Sequence, residues 1–394
     1  SYDARIWYAL SAGLSLDLIL RHDMTFRIFG AVRKYSVAAT VFICLALVIA
    51  GGVFADKVGR LWDMLYDENF ATMYRHPDLL KLAAANKDAP PFRVATPFII
   101  SNTGYMVPTF AWAYGFETVD GYVSMYPKRY KEYWLRVLAA QQGNERHREF
   151  LGSNSMIYLY GNPSDRGPVC ADGGNTCPVE FENDYDLELL SLANVRYFIS
   201  ARRLKSPHLS LLPSATREAL IKQQDLRLRQ RLTIKLAGGY VGSPLYIYEN
   251  KMMLPRYFLT EDVKLFAAKD ELLLALSEAN VTDLRRTAFI RRDDAEKANL
   301  ADVLAKPQAA GIGPVTVKIV YHERDEIILQ IETDHPHVLV AANSYSPFWK
   351  ADLDGRALTV FPVYNAFQGV LVPKGSYRIR LRYAPPYSPR AYLP

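Results

Sequence analysis

Three kinds of hydrophobic patterning follow one another along the chain. The first is an unbroken apolar run from Tyr35 to Phe54, YSVAATVFICLALVIAGGVF, which carries no charge. A helix of about 20 residues rises roughly 30 Å, the thickness of a bilayer's hydrocarbon core, so a transmembrane helix is predicted at about 35–54. A core helix of that length would show a polar face, and only Ser36, Thr40 and Cys44 interrupt this one. Upstream, Ile6 to Leu20 is apolar apart from Asp17 and a few serines. It reads either as the end of an earlier membrane helix or as an amphipathic helix at the membrane surface. Arg21, Arg27, Arg33 and Lys34 lie between the two runs. The positive-inside rule places that loop in the cytoplasm and everything beyond about residue 57 outside.

The second pattern alternates helical and extended segments. Arg60 to Lys87 reads as helical, with Pro77 where a first turn accepts it, and the DAPP run at 88–91 stops it. Phe92–Thr96 and Phe98–Ser101 read as short strands, and the aromatic stretch over 111–117 as another. Tyr130, Tyr133, Trp134 and Val137 recur at helical spacing and predict a helix over about 128–141. LLSLANVRYFIS reads as a helix turn leading into a strand. A basic helix over 215–231 follows, then strands at 232–236 and 244–248. Tyr257–Leu259, Lys269–Ala279 and Thr287–Ile290 give strand, helix, strand. Such alternation predicts an α/β domain over 57–306.

The third pattern begins after the linker AAGIGPV. From Val315 the chain runs VTVKIVYH, EIILQIET, HVLVAAN, WKADLDG, ALTVFPV, GVLVPKG and YRIRLRYA. Short alternating runs with turns roughly every 8–12 residues predict an antiparallel β-sandwich over 307–394. Trp349, Ala351 and Leu353 fall on one face of a strand, which predicts a buried, structural Trp349. The predicted architecture is thus an α/β extracytoplasmic domain and a C-terminal antiparallel β-sandwich, preceded by a membrane segment at 1–56 with one or two transmembrane helices.

Charge and composition narrow the function. A formal charge of +6 over 394 residues, with no basic block and no nucleic-acid motif, argues against nucleic-acid binding. The chain opens on Ser1 with no basic n-region or cleavage site, so the opening is not a signal peptide, and the chain reads as an internal part of a larger membrane protein or as a processed product. Of the three cysteines, Cys44 lies in the apolar run. Cys170 and Cys177 flank a Gly- and Asp-rich loop and would close a disulfide in an oxidising compartment. A zinc site there would need two further ligands, and none is nearby.

Few residues invite a chemical reading. Asp352-Leu353-Asp354 has the look of a metal-binding acidic pair, but Asp354-Gly355 between two strands is a hairpin signal. His335 and His337 flank Pro336 without a third ligand in view, so no metal site is predicted. Trp112, Tyr114, Phe116, Glu117, Asp120 and Tyr122 gather within eleven residues. Aromatic faces beside carboxylates suit a sugar, with rings for stacking and oxygens for hydroxyls. Trp112, Tyr114, Glu117, Asp120 and Tyr122 are therefore the candidate glycan-binding residues. An ordinary core cluster beneath a turn is the alternative.

The order of short motifs resembles one family. DLLKLAAANKDAPPFRV, FETVDGYVSMYPKRYKEYW, LLSLANVRYFIS, YIYENKMMLPRYFL and SYSPFWKADLDGRALTVFPVYNAFQGVLVPKGSYRIRLRYAPP follow one another as in the YfhO-type bacterial membrane proteins, related to the type C glycosyltransferases. Ser346-Pro347-Phe348-Trp349 stands where that family typically shows Tyr-Pro-Gly-Trp. The resemblance implies a polytopic enzyme of the bacterial inner membrane that moves a sugar from a polyprenyl-phosphate carrier to a cell-envelope acceptor. The family's catalytic acid sits in its first extracytoplasmic loop, which has no counterpart here, so no catalytic residue carries over. The implied role is to position glycan or acceptor on the periplasmic side, with membrane lipid as a partner and no cofactor in this chain. The alternative is a membrane-anchored scaffold subunit of a membrane protein complex, whose sandwich docks a partner.

Overall fold

A computed structural model describes residues 74–97, 108–122, 126–138, 156–159, 178–224, 226–304 and 315–386. The chain divides into two compact units, Ser1–Asn69 and Phe70–Pro394, and every described residue belongs to the second. The predicted membrane segments at 6–20 and 35–54, and the pair Cys170 and Cys177, lie outside the described residues. Among the described residues no helix is long and apolar enough to cross a membrane.

The first part of the unit is built on β1 (Arg93–Ala95), β2 (Glu117–Thr118), β3 (Gly121–Tyr122), β4 (Met156–Ile157), β5 (Val179–Glu180), β6 (Val195–Ser200), β7 (Leu204–Lys205), β8 (Leu209–Leu211) and β9 (Tyr246–Asn250). Five of these form a mixed sheet in the order β2-β1-β6-β9-β8, parallel from β2 to β6 and antiparallel beyond. The helix Leu187–Leu192 is capped by the Asp186 carboxylate, which accepts from the Leu189 N–H at 2.9 Å. It stops at Asn194, whose φ of 66° is one that asparagine tolerates better than most residues. The reversed chain then enters β6, as LLSLANVRYFIS predicts. The helix Lys128–Val137 turns Tyr130, Tyr133, Trp134 and Val137 inward, the four positions read from its spacing.

Three further strands follow: β10 (Tyr257–Thr260), β11 (Asp262–Phe266) and β12 (Thr287–Arg291). The strand–helix–strand unit is real but starts one strand later than predicted. It is β11 that pairs parallel with β12 across the helix Lys269–Glu278, whereas β10 pairs antiparallel with a strand of the sandwich. Two other expectations are corrected. The stretch 111–117 is not a strand: Pro108–Tyr114 coils as a 3₁₀ helix, closed by Gly115 at φ 82°, and only Glu117–Thr118 is extended. The segment 232–236 lies in the helix Leu228–Leu236, which ends where the Gly239 N–H reaches the Ile234 carbonyl. There a capped turn outweighed the alternating RLTIKL pattern.

The sandwich comprises β13 (Thr316–His322), β14 (Glu326–Thr333), β15 (His337–Ser344), β16 (Trp349–Leu353), β17 (Arg356–Leu358), β18 (Val360–Val363), β19 (Phe367–Val372) and β20 (Gly375–Tyr383), joined by β10. The two antiparallel sheets run β10-β15-β19-β18 and β13-β14-β20-β16-β17. Tyr257, Leu259, Leu339, Ala341, Val370 and Val372 meet Ile327, Leu329, Ile331, Ala351, Ile379 and Leu381 between them. The five-stranded sheet shows water its other face, so β14 alternates and β20 presents Arg378, Arg380 and Arg382 outward. The four-stranded sheet has no such face. Phe258, Val338, Val340, Phe361, Val363 and Phe367 pack into the α/β core, which is why HVLVAAN reads as a continuous apolar run.

Details of the sandwich follow its sequence. Asp354 and Gly355 turn at φ 47° and 88° between β16 and β17, the hairpin expected of Asp-Gly. It is the Asp352 carboxylate that accepts from the turn, at 3.3 Å from the Gly355 nitrogen. Trp349 shares its face with Ala351 and Leu353, but at the strand's end it is only half-buried, packed against the core and Tyr383. The Ser346-Pro347-Phe348 turn closes through the Trp349 N–H to the Ser346 carbonyl at 3.2 Å. At the β18–β19 tip Tyr364 and Asn365 adopt φ 49° and 64° and reach into the α/β part.

Candidate functional site

The helix Pro77–Ala85 is followed by Asp88-Ala89-Pro90-Pro91-Phe92, where two prolines without N–H groups cannot continue it. This segment forms a ridge between two cavities at the joint of the mixed sheet and the sandwich. The larger, about 690 Å³, has walls that include Arg196 of β6, Met253, Pro255, Arg256 and Tyr257 before and within β10, and Val317 to Ile319 of β13. The smaller, about 390 Å³, lies toward Asn86, Tyr114, Glu117 and His322. Ala89, Pro90, Pro91 and Phe92 line both.

Each wall is fixed by ionic contacts. Arg196 holds Glu249 Oε1 through Nε and Nη2 at 3.2 Å and Asn86 Oδ1 through Nη1 at 3.1 Å. Its guanidinium lies 5.5 Å from the Phe92 ring centroid and 5.0 Å from that of Tyr197, in cation–π range. Opposite, Arg256 donates through Nε to Asn343 Oδ1 and through Nη2 to Glu117 Oε2, both at 2.7 Å. Arg93 Nε stands 3.8 Å from the same Glu117 oxygen, and its Nη1 donates to the carbonyls of Ala193 and Ala342. One carboxylate therefore faces two guanidiniums.

The charges respond to this crowding. Burial, and then the neighbouring Arg256, pull the Arg93 pKa down to about 10. Burial pushes the Glu117 carboxyl up, but Arg256 and Arg93 outweigh it and hold the group below its ordinary value. Burial lowers the His322 pKa against the pull of Glu117, and its ring packs beside that of Tyr257, 5.9 Å between centroids.

The sequence-predicted cluster is only partly brought together. Glu117 and Tyr114 line the smaller cavity. Tyr114 is nevertheless core: its hydroxyl accepts from the His76 N–H at 2.9 Å, and its ring lies between Phe110 and Phe116. Trp112 is 52% exposed, lines neither cavity, and donates its indole N–H to Thr118 Oγ1 at 2.8 Å. The backbone of Tyr122 pairs with Met156. Asp120 is buried and accepts from the Thr96 N–H at 2.8 Å and the Thr96 hydroxyl at 2.6 Å. His337 is buried with Nδ1 2.8 Å from the Thr260 carbonyl. Among the described residues no three His, Cys, Asp or Glu stand close enough to hold a metal. Phe92, Arg93, Arg196 and Arg256 were not singled out from the sequence. For Phe92 and Arg93 the one local sign is the double proline, which reads as a helix stop, and Arg196 and Arg256 have none.

Asp120 also carries a pH signature. Burial raises its pKa from 3.8 to about 6, against the Thr96 hydrogen bonds, and burial likewise raises Asp186 to about 6. A carboxyl with a raised folded-state pKa contributes stability that is complete below its unfolded value and lost as pH rises through the folded one. Asp120 and Asp186 therefore each add stability on going from pH 7.5 to pH 5, while His76, whose pKa burial lowers to about 4, loses it over the same window. Over that window, which ends about one unit below the folded-state value of the two carboxyls, the change is about 1.4 kcal/mol at most for each of them. Urea denaturation of the wild type and Asp120→Asn at both pH values isolates the Asp120 contribution: the stability of the wild type relative to the variant should rise by about 1–1.5 kcal/mol from pH 7.5 to pH 5.

No family model matches the chain, and no curated protein matches it. Among solved structures, one match is the cryo-EM structure of the arabinofuranosyltransferase AftD from mycobacteria, at 27% identity over 17% of this chain, with a TM-score of 0.17. The chain spans 5% of that protein's length.

Proposed function

We propose that the Phe70–Pro394 unit positions a glycan for a membrane glycosyltransferase, with the chemistry performed elsewhere in the protein. The observation that carries this reading is the pair of cavities meeting at Pro90-Pro91-Phe92, between a mixed sheet and a sandwich locked together. Prolines and Phe92 offer an apolar ridge to the hydrophobic face of a sugar, while Asp88, Glu117, Arg196 and Arg256 supply acceptors and donors for its hydroxyls. Rigid donors on β6 and at the entry to β10, themselves held by Glu249, Asn86 and Asn343, suit orientation rather than turnover. The resemblance of the ordered motifs to those of the YfhO-type proteins supports the same class. In this reading the donor is a polyprenyl-phosphate-linked sugar and the unit lies on the periplasmic face of the bacterial inner membrane.

Calorimetric titration of the purified 394-residue chain with neutral oligosaccharides tests the reading. Binding should weaken by about tenfold or more in Arg196→Gln, which removes a charged donor worth roughly 1.5–3 kcal/mol. Phe92→Leu, which keeps apolar bulk and loses the ring, should weaken it about threefold to tenfold. Wild-type affinity in both variants would move the site elsewhere. A chain that binds no glycan but purifies with a stoichiometric protein partner would favour the scaffold alternative.

A further inference from the structure

The charge lining the two cavities is unbalanced. Lys87, Arg196, Arg256 and Lys318 stand against Asp88 and Glu117. Arg196 is already engaged by Glu249 and Asn86. Arg256 is not fully engaged. It is 6% exposed, Asn343 and Glu117 take its Nε and Nη2, and Nη1 is buried with no partner among the described residues. The carboxylate that compensates Arg256 is shared with Arg93, a second buried guanidinium behind the same wall. A buried cation excess carries a desolvation cost that a second anion offsets. Lys318, at the exposed end of the same lining, makes no ion pair among the described residues.

We propose that the cleft is selective for acidic glycans, with an oxyanion on the sugar, a uronate carboxylate or a phosphate, seated between Arg256 and Lys318. This rests on the reading of the cleft as a glycan site and adds the chemical class of the glycan. The Arg256 guanidinium and the Lys318 ammonium, both from this lining, would take the oxyanion, while the Pro90–Phe92 ridge takes the ring carbons. Asp88 and Glu117 then receive hydroxyls on the uncharged side of the sugar.

The test is a titration of the full chain with three probes: a short galacturonate oligomer, its neutral methyl ester, and a neutral oligosaccharide carrying one phosphate. The free acid or the phosphate should bind about tenfold tighter than the ester, the scale of one charged hydrogen bond. The gap should shrink in roughly 0.5 M salt, where surface charges are screened. Lys318→Gln, at an exposed position, should narrow the gap without affecting folding, and Arg256→Gln should abolish it if that protein folds. Tighter binding of the acid than of the phosphate assigns a carboxylate, and the reverse order a phosphate. Equal binding of acid, phosphate and ester overturns the acidic selectivity and leaves the glycan site standing. No binding by any of the three overturns both.

Discussion

Tyr364→Ala should lower the unfolding free energy of the chain by about 3–5 kcal/mol, the cost of truncating a fully buried aromatic side chain. Tyr364 sits at the β18–β19 tip with no exposure, its hydroxyl 2.7 Å from the Leu284 carbonyl and 2.9 Å from that of Thr287. Its N–H donates to the Phe289 carbonyl at 2.8 Å. Beside it Asn365 donates through its side-chain amide to the Arg129 carbonyl and to Glu132 Oε2, both at 3.1 Å. The hairpin is thus a peg from the sandwich into the α/β part. A non-glycine residue held at φ 49° persists because the surrounding contacts over-determine it. Tyr364→Phe should cost about 1–3 kcal/mol, since it strips one hydrogen bond from buried carbonyls. Urea denaturation reads both, and a loss below about 1 kcal/mol in the alanine variant would show that the peg is not seated.

Arg93 is the second joint. Its Nη1 bridges the Ala193 carbonyl, at the end of the helix Leu187–Leu192, and the Ala342 carbonyl of β15. Arg93→Met keeps an unbranched apolar stem but leaves two buried carbonyls short of a donor, at about 1–3 kcal/mol each. Removing a desolvated cation offsets part of that, so a net loss of about 2–4 kcal/mol is expected. Arg93→Lys should lie between the two, because an ammonium cannot reproduce the planar fork that reaches both carbonyls and Glu117. Denaturant midpoints rank the three proteins, and the order Arg, Lys, Met is the expected one.

The parts of the fold legible in the sequence are those governed by local periodicity. The inward face of the helix Lys128–Val137, the Asp354-Gly355 hairpin and the alternation of β14 and β20 each need only neighbours in the chain. β10 needed more. Its four residues read as a strand, but nothing local says that they pair with β15, about eighty positions away in sequence. The Leu228–Leu236 helix was obscured because a short amphipathic run fits both periods, and only its caps decide. The site shows the same limit. Grouping by sequence proximity found Trp112 to Tyr122, where packing turns Tyr114 and Asp120 inward. The charged wall takes Glu117 alone from that stretch and joins it to positions 93, 256 and 322, brought together by the joint between sheet and sandwich. The orphaned Arg256 Nη1 and the shared Glu117 carboxylate are three-dimensional facts with no one-dimensional trace.

The central claim is that a glycan occupies the cleft at Pro90-Pro91-Phe92, on the joint between the mixed sheet and the sandwich. Hydrogen–deuterium exchange of the full chain, with and without a saturating oligosaccharide, tests it most directly. Slowed exchange is expected in peptides covering 86–92, 253–257 and 317–319, with the outward face of β20 unchanged. Slowed exchange confined to β20 or the other outer strands, with those three segments unaltered at saturation, would contradict it.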